Sequence, residues 1–558
     1  MSKKPRHQFN KSKDEDKETS NPRNRRSRNT RSRGNQSTRS KAYDSGVTDG
    51  VDNDPSWWFG AGQIAMDATS ISTFNAAGAK HVSCEYDTDY YSPAGVARFD
   101  YIPYYGTIDS SVHPLNMAAK LMYDTINSKN SRNPSYDPSD LMIYVLAVAN
   151  AWALHSFVLR IVGMFNTFSA TNRYWWRSVV ESMGIAPIAT DNDIVKWRNL
   201  ANNMALRLNM LAVPQNIAYF QRAIFMNQGV YMDEPTSKSS MYYFCPAAFL
   251  QYKYDNREGH EQIGMLQMVE TPWHDSSITT PITPAVIETY FNNMVVNLFN
   301  DSDINTMSAD IIKAFGAENC FRLPQVDSSY TVTMGYSPEV NLQLHNSRIC
   351  TPGSDFITDP YQVRQNMNYN GIETNQRTLH KEGDPGTALM ATDIKAGRGI
   401  PLDFPVDNPD NAMVMEATRL TWYAVGVPTG DGLTGYEIQA CTELLIGDEF
   451  FEFETDSNKE WTLNSRAGCI NNKALATTIG VTRLAENLSR SSKYANAPLT
   501  WIMLPNQSSA QFLEPQWTRL VSNTSNYTTV SREDLRNMHD AATLSVFVPR
   551  FAKFDQRK

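Results

Sequence analysis

LMIYVLAVANAWALHSFVL, from Leu141 to Leu159, is the stretch on which the fold turns. It runs 19 residues without a formal charge, long enough to cross a bilayer as a helix. Asn150, His155 and Ser156 interrupt it, and Arg160 follows at once. Polar groups are costly in hydrocarbon, whereas the middle of a large soluble protein also uses helices that are apolar nearly all round. The sequence therefore predicts a buried core helix, capped by Asp137 or Ser139 and running toward Phe165, and no stable membrane insertion. His155, alone on this helix, reads as a hydrogen-bonded core residue rather than a ligand.

Helical spacing continues on the C-terminal side. Ile194, Trp197, Leu200, Ala201, Met204, Leu208 and Leu211 share one face of a helix that starts after Thr190 and Asp191. Pro214 ends it and can open a further helix over Gln215 to Asn227, closed by Gly229. Strands are expected at Val230 to Met232 and Met241 to Cys245. Thr283-Pro284 announces a helix over Val286 to Phe299, and Ser308 can cap a short one from Ala309 to Phe315, ended by Gly316. Turn-rich sequence from Leu323 to Pro409 predicts strands and long loops. Tyr436 to Phe453 is strand-like, a helix is expected near Lys473 to Leu488, and a strand at Leu499 to Leu504. Ser531 with Asp534 forms a capping pair for a helix through Ala542, before a last strand near Leu544 to Phe551. No internal repeat is visible.

The N-terminus is of another kind. Through Lys41 the chain holds 14 basic and 4 acidic residues, a net of +10, with Phe9 as its one aromatic. Such a segment buries too little apolar surface to offset chain entropy and is expected to be a disordered arm. Of the 51 basic and 59 acidic residues in the 558-residue chain, 37 and 55 lie beyond Lys41, so the remainder carries −18. A basic arm on an acidic body marks an interaction tail. Its strongest field lies at Arg23, Arg25, Arg26, Arg28, Arg31, Arg33, Arg39 and Lys41, where no acid intervenes. These are the candidate RNA-binding residues. An acidic connector from Asp44 to Pro55 leads to Trp57-Trp58-Phe59, which serves either as ordinary core or as the anchor of the arm.

Chemistry is not written in the motifs. The six cysteines are scattered, with no CxxC pair, and suit a reducing compartment. The N-terminus has no apolar signal segment. No Gly-Lys dipeptide exists, so a GxxxxGK[ST] phosphate loop is absent, as is a GxSxG elbow. His260-Glu261 lacks a second zinc-binding His, and His380-Lys-Glu382 lacks a downstream PCxxC. Pro428 to Gly435 reads as a turn between strands, and Gly447-Asp448-Glu449 as a strand edge at a turn. No catalytic residue, metal or cofactor is expected. An enzyme of RNA metabolism with a basic tail would need a metal site or phosphate loop, and a cellular RNA-binding module would want stacking aromatics among its cations.

Six segments carry a family resemblance. They are Ser139 to Tyr144 with His155 to Phe157; Gly229 to Asp233; Met307 to Asp310; Lys313 to Gly316; Met415 to Leu420; and Asp534 to His539. With the basic arm and connector leading into Asn53 to Trp57, they resemble picobirnavirus capsid proteins in order and spacing, over roughly Asp54 to Pro549. The region from Leu323 to Pro409 matches least well. The resemblance implies an α+β protein: a predominantly helical shell domain (55–235 and 500–558) and a mixed, β-richer projection domain (236–499), after a disordered arm and connector (1–54). It further implies homodimers as building blocks of a T=1-type icosahedral shell; the scattered thiols and the polar N-terminus point to assembly in the host cytoplasm. Viral double-stranded RNA and the viral RNA polymerase would be the cargo of that virion.

Overall fold

The computed structural model describes residues 54–70, 95–130, 134–167, 175–185, 191–235, 239–255, 257, 263–274, 281–332, 334–350, 360–375, 380–381, 399–428, 434–455, 461–467, 494–499, 501–504, 517–520 and 524–549. Asp54 caps a 3-10 turn, Pro55–Phe59, by accepting from the Ser56 N–H at 2.9 Å. Helix α1 (Gln63–Ser70), strand β1 (Val96–Pro103) and α2 (Pro114–Lys129) precede α3 (Pro138–Phe165). Then come α4 (Trp175–Ser182), α5 (Asp191–Leu208), α6 (Ala218–Gln228), β2 (Val230–Met232), β3 (Met241–Pro246), β4 (Ala248–Tyr254) and β5 (Gly264–Glu270). Helices α7 (Pro284–Asn300) and α8 (Ser302–Phe315), β6 (Met334–Tyr336), α9 (Pro338–His345), β7 (Gln362–Asn366), β8 (Gly371–Thr374), β9 (His380–Lys381), β10 (Ile400–Phe404) and α10 (Asn411–Ala417) follow. The chain continues through β11 (Tyr423–Pro428), β12 (Thr434–Gln439), β13 (Glu443–Thr455), β14 (Trp461–Ala467), β15 (Trp501–Leu504), β16 (Trp517–Leu520), β17 (Asn526–Val530) and α11 (Arg532–Phe547). The protein is α+β, as expected.

Helix α3 is the hub. It contacts α2, α4, α5, α6 and α7 on its helical sides and β4, β5, β7 and β8 on another, and its apolar window is wholly buried. Asn150 and Arg160 have a structural use. The Asn150 Oδ1 accepts from Leu250 N–H of β4 at 3.0 Å, while its amide donates to the Leu146 carbonyl at 2.8 Å. Arg160, fully buried, donates to the carbonyls of Phe244 at 2.6 Å and Met226 at 2.8 Å, tying α3 to β3 and α6. Burial holds His155 neutral, its pKa lowered to about 4. Gly163 is required by close approach: a Cβ there would stand 2.4 Å from the Val332 nitrogen. These features settle the 28-residue span as protein core.

The largest sheet runs β14-β13-β1-β3-β2-β6. β1 pairs parallel with β3 and antiparallel with β13. A strand expected in the helical shell thus sits between two expected in the projection, and the body beyond Asp44 forms one compact unit. A second sheet, β4-β5-β7-β8, lies against α3, and Pro428 to Gly435 does connect an antiparallel hairpin, β11 and β12.

Several local expectations are corrected. Pro214 and Gln215 do not start α6, because Gln215 N–H bonds the Asn319 carbonyl at 2.8 Å and Phe321 N–H bonds the Val213 carbonyl at 3.0 Å. Asp301, not Ser308, caps α8, and the buried Ser308 hydroxyl accepts from Ala212 N–H at 2.9 Å. Gly316 ends α8 at φ +88, as read. The loop-rich region contains α9, whose N-cap Ser337 and first-turn Pro338 went unread. No terminal strand covers Leu544 to Phe547: α11 runs on, with Phe547 against the Tyr219 ring at 4.3 Å. Gly447-Asp448-Glu449 lies inside β13 at an irregularity opposite Asp100, not at a turn. The helix expected near Lys473 to Leu488 lies outside the described residues.

Candidate functional site at the root of the arm

The candidate RNA-binding residues Arg23 to Lys41 all lie outside the described residues. What the structure does build is the point where the body begins. Trp57 and Trp58 have no solvent exposure. The Trp57 ring meets Phe225 of α6 edge-on at 5.6 Å. Two guanidiniums, Arg222 of α6 and Arg419 just after α10, each lie 5.3 Å from the Trp58 ring centre. Away from water such contacts contribute about 2 kcal/mol each. One turn on, Ala61 N–H donates to the Ser545 hydroxyl of α11 at 2.9 Å. The root is thus fastened to α6, α10 and α11 together.

Both cations are balanced inside the protein. Arg222 pairs with Glu443 of β13 at 3.5 Å and donates to Gln343 of α9 at 3.2 Å. Gln343 in turn donates to Glu416. Arg419 donates to the Met415 carbonyl and Thr418 hydroxyl, each at 2.8 Å, and burial holds its pKa below the ordinary value, with Cys441 and Glu416 opposing. Two arginines and two glutamates therefore cancel around one tryptophan. Such a network is expensive to break from either side, because a buried charge left alone costs several kcal/mol. It positions backbone. His539 joins it, its ring nitrogen 3.2 Å from the Thr418 carbonyl. Asp54 to Trp57, Met415 to Leu420 and Asp534 to His539, all within segments that carry the resemblance, thus meet in one place. Arg222 was not singled out from sequence, although a cation inside Ala218–Gln228, among Tyr, Phe, Ile and Met, was the available signal.

A second buried cluster lies where β1 meets β13. Arg98 donates to Asp100 at 3.1 Å and pairs with Glu449 at 2.6 Å. Asp448, 3% exposed, has no hydrogen-bond partner for either carboxylate oxygen among the described residues. Burial, then the charge of Asp100, push its pKa up to about 7. Among the described residues no group of three His, Cys, Asp or Glu side chains gathers to hold a metal.

Comparison with known proteins places the chain in the viral-coat class. Residues 64–444 match the family model described as Picobirnavirus, Capsid protein, and the chain belongs to that family. It is 25% identical over 408 residues to the capsid protein precursor of Human picobirnavirus (strain Human/Thailand/Hy005102/-), covering 69% of this chain and 72% of the relative. Its fold is similar to the X-ray structure of the picobirnavirus capsid, with a TM-score of 0.64 and 17% identity over 84% of this chain and 89% of that one.

Proposed function

We propose that this coat protein assembles as homodimers into a T=1-type icosahedral shell around double-stranded RNA. In this reading the cationic arm contacts the RNA on the inside, and the viral polymerase is carried as cargo. Assembly takes place in the host cytoplasm, and the role is structural, without catalysis. Residues 55–235 with 500–558 supply the shell and 236–499 the projection, joined through the sheet they share. The observation that carries the RNA-binding part is the charge division, +10 through Lys41 against −18 beyond it. Duplex carries one charge per roughly 1.7 Å of axis in the B-form reference, so one arm offsets under about 20 Å of duplex. Arms therefore recruit RNA, and other cations complete its neutralisation. Base reading is not expected, since A-form duplex hides its base edges in a deep, narrow groove.

The test is electron microscopy and nucleic-acid content of the full chain beside a variant lacking Met1 to Lys41. Uniform hollow particles are expected from both, with much less RNA in the truncated form. Binding by the full chain should weaken steeply with salt, and equally for unrelated sequences. Equal RNA content with and without the arm would move the contact to the folded body. A chain that stays monomeric at every salt and pH would remove the shell itself.

A further inference from the structure

Residues 494–499 form a strap that is fastened at both ends. At the first end the Asp233 carboxylate accepts from the Ala495 N–H at 2.8 Å, the Asn496 N–H at 3.2 Å and the Asn496 side-chain amide at 3.1 Å. The Tyr494 ring lies 5.0 Å from that of Phe450 and 5.4 Å from that of Tyr242. At the second end stands His345, the last residue of α9. Its carbonyl accepts from the Leu499 N–H at 2.9 Å. Its ring meets two oxygens: Nδ1 is 2.9 Å from the Ala497 carbonyl, and Nε2 is 3.2 Å from Asp403 Oδ2 of β10. The other Asp403 oxygen accepts from the Ser525 N–H, just before β17, at 2.8 Å.

Both oxygens beside the ring are acceptors. A neutral imidazole carries one N–H, so it can donate to the carbonyl or to the carboxylate but not to both. The nitrogen left over then turns a lone pair toward an oxygen. Both contacts are hydrogen bonds only while His345 and Asp403 hold an extra proton between them. The setting suits that proton. His345 ends a helix, where the backbone dipole favours a cation, and the Asp403 side chain is only 5% exposed. Other titratable or charged groups on the elements that meet here are engaged elsewhere. Glu339, at the start of α9, accepts from the Ser337 hydroxyl, and Glu416 of α10 accepts from Gln343. Arg348 donates to the Trp422 carbonyl at 2.8 Å, Tyr494 and Asp233 hold the far end of the strap, and Tyr527 stands opposite Asp403 on β17.

We infer that the His345–Asp403 pair is a proton-operated latch on the 494–499 strap, closed while the pair holds its extra proton and loosened at the Ala497 to Leu499 end when that proton leaves. Loss of the proton sets a buried carboxylate against a lone pair, and the ring relieves this only by turning away from Asp403 or from Ala497. The stabilisation is therefore present in acid and lost as pH rises. The Asp233 end has no such requirement, because its carboxylate faces amide and hydroxyl donors. The latch joins α9, the strap and the residues before β17 within one chain, so it does not depend on how copies assemble.

Amide hydrogen exchange of the full chain, resolved to single amides, tests this at about pH 5 and about pH 9, on either side of the ordinary imidazole range. Rates are corrected for the base catalysis that every amide shows. In the wild type, protection at Leu499 should fall roughly tenfold between the two, the worth of one charge-assisted hydrogen bond, while Ala495 and Asn496 keep theirs. Asp403→Asn should reverse the dependence. Its side-chain amide can donate to Nε2 of the neutral ring while the Nδ1–H serves Ala497. Leu499 then stays protected at high pH and loosens in acid, whereas a passive structural contact would be weakened at both. Equal protection of Leu499 in the wild type at both pH values overturns the inference, and that measurement needs no variant. A loss at high pH that persists in Asp403→Asn also overturns it, and places the proton on another group such as Asp448.

Discussion

Helices α7 and α11 are nearly equal in length, 17 and 16 residues, and both lie on the outside of the body with one stripe buried. Their inner faces are alike: Ile287, Phe291 and Leu298 in one, Leu535, Met538 and Val546 in the other. Their outer faces are not. α11 shows Arg532, Glu533 and Arg536 to solvent, while α7 shows Thr289, Asn293 and Val296. Burying one stripe is what the fold demands of each helix; the opposite stripe is free of that demand and records what the helix meets. α11 carries several charges on its outer face, whereas Glu288 is the single charge that α7 shows.

The largest effect expected is an inward charge where no face is free. Leu146 of α3 has no exposure. Leu146→Asp would bury an unpaired carboxylate at a cost of several kcal/mol, a large share of the 5–15 kcal/mol by which domains are stable. Soluble expression should be lost. Normal yield and normal particles would show that α3 is peripheral.

A smaller effect is expected where the protein already keeps an inward acid. Asp448 holds its proton to about pH 7 in the folded chain, while an unfolded chain releases it near pH 3.9. Over that window the folded state binds more protons, so this residue's contribution to stability falls as pH rises and levels off above about 7. Asp448→Asn should therefore match the wild type near pH 4 and exceed it increasingly up to pH 7, by up to a few kcal/mol at pH 8. Buried His155 and His539, held to about 4 and about 3, act in the opposite sense and weaken the fold on the acid side in both proteins. Urea unfolding at pH 4, 6 and 8 checks this; a variant that gains nothing between pH 4 and 8 would mean that Asp448 is ionised in the native state.

The smallest effect sharpens the contrast most. Arg536 is exposed and lies 3.7 Å from Asp540 on α11, a kind of pair worth little in water. Arg536→Ala should change stability by no more than about 0.5 kcal/mol and leave assembly unchanged. Val296→Asp on α7, at an exposed position, should be equally mild in a melting curve. A clear loss of stability in either variant would show that its outer face is packed against the body.

Element type was legible wherever a long period or a strong cap stood alone. α3, α5 and α7 lie where their apolar spacing and the signals at Asp137, Asp191 and Thr283-Pro284 put them. The misses share one cause. Ser308 had the chemistry of a cap but bonds a distant amide, and Pro214 had the chemistry of a helix start but lies beside Cys320. Leu544 to Phe547 are apolar enough for a strand, yet α11 continues because the arm root and the Tyr219 ring receive its last turn. In each case a contact far away in sequence outweighed a local preference.

The candidate site divides in the same way. The charge of the arm and the aromatic run that follows it are matters of composition, since net charge and apolar mass are sums over residues and need no fold. That Trp58 stands between Arg222 and Arg419, and that Glu443 and Glu416 balance those cations, depended on elements some 160 to 390 positions away in the chain. Local sequence determines whether a segment can bury a face, because side-chain spacing and capping act over a few residues. Which surfaces meet is decided only when distant apolar stripes, each indifferent to its partner's identity, are matched by shape and by the need to leave no buried charge alone.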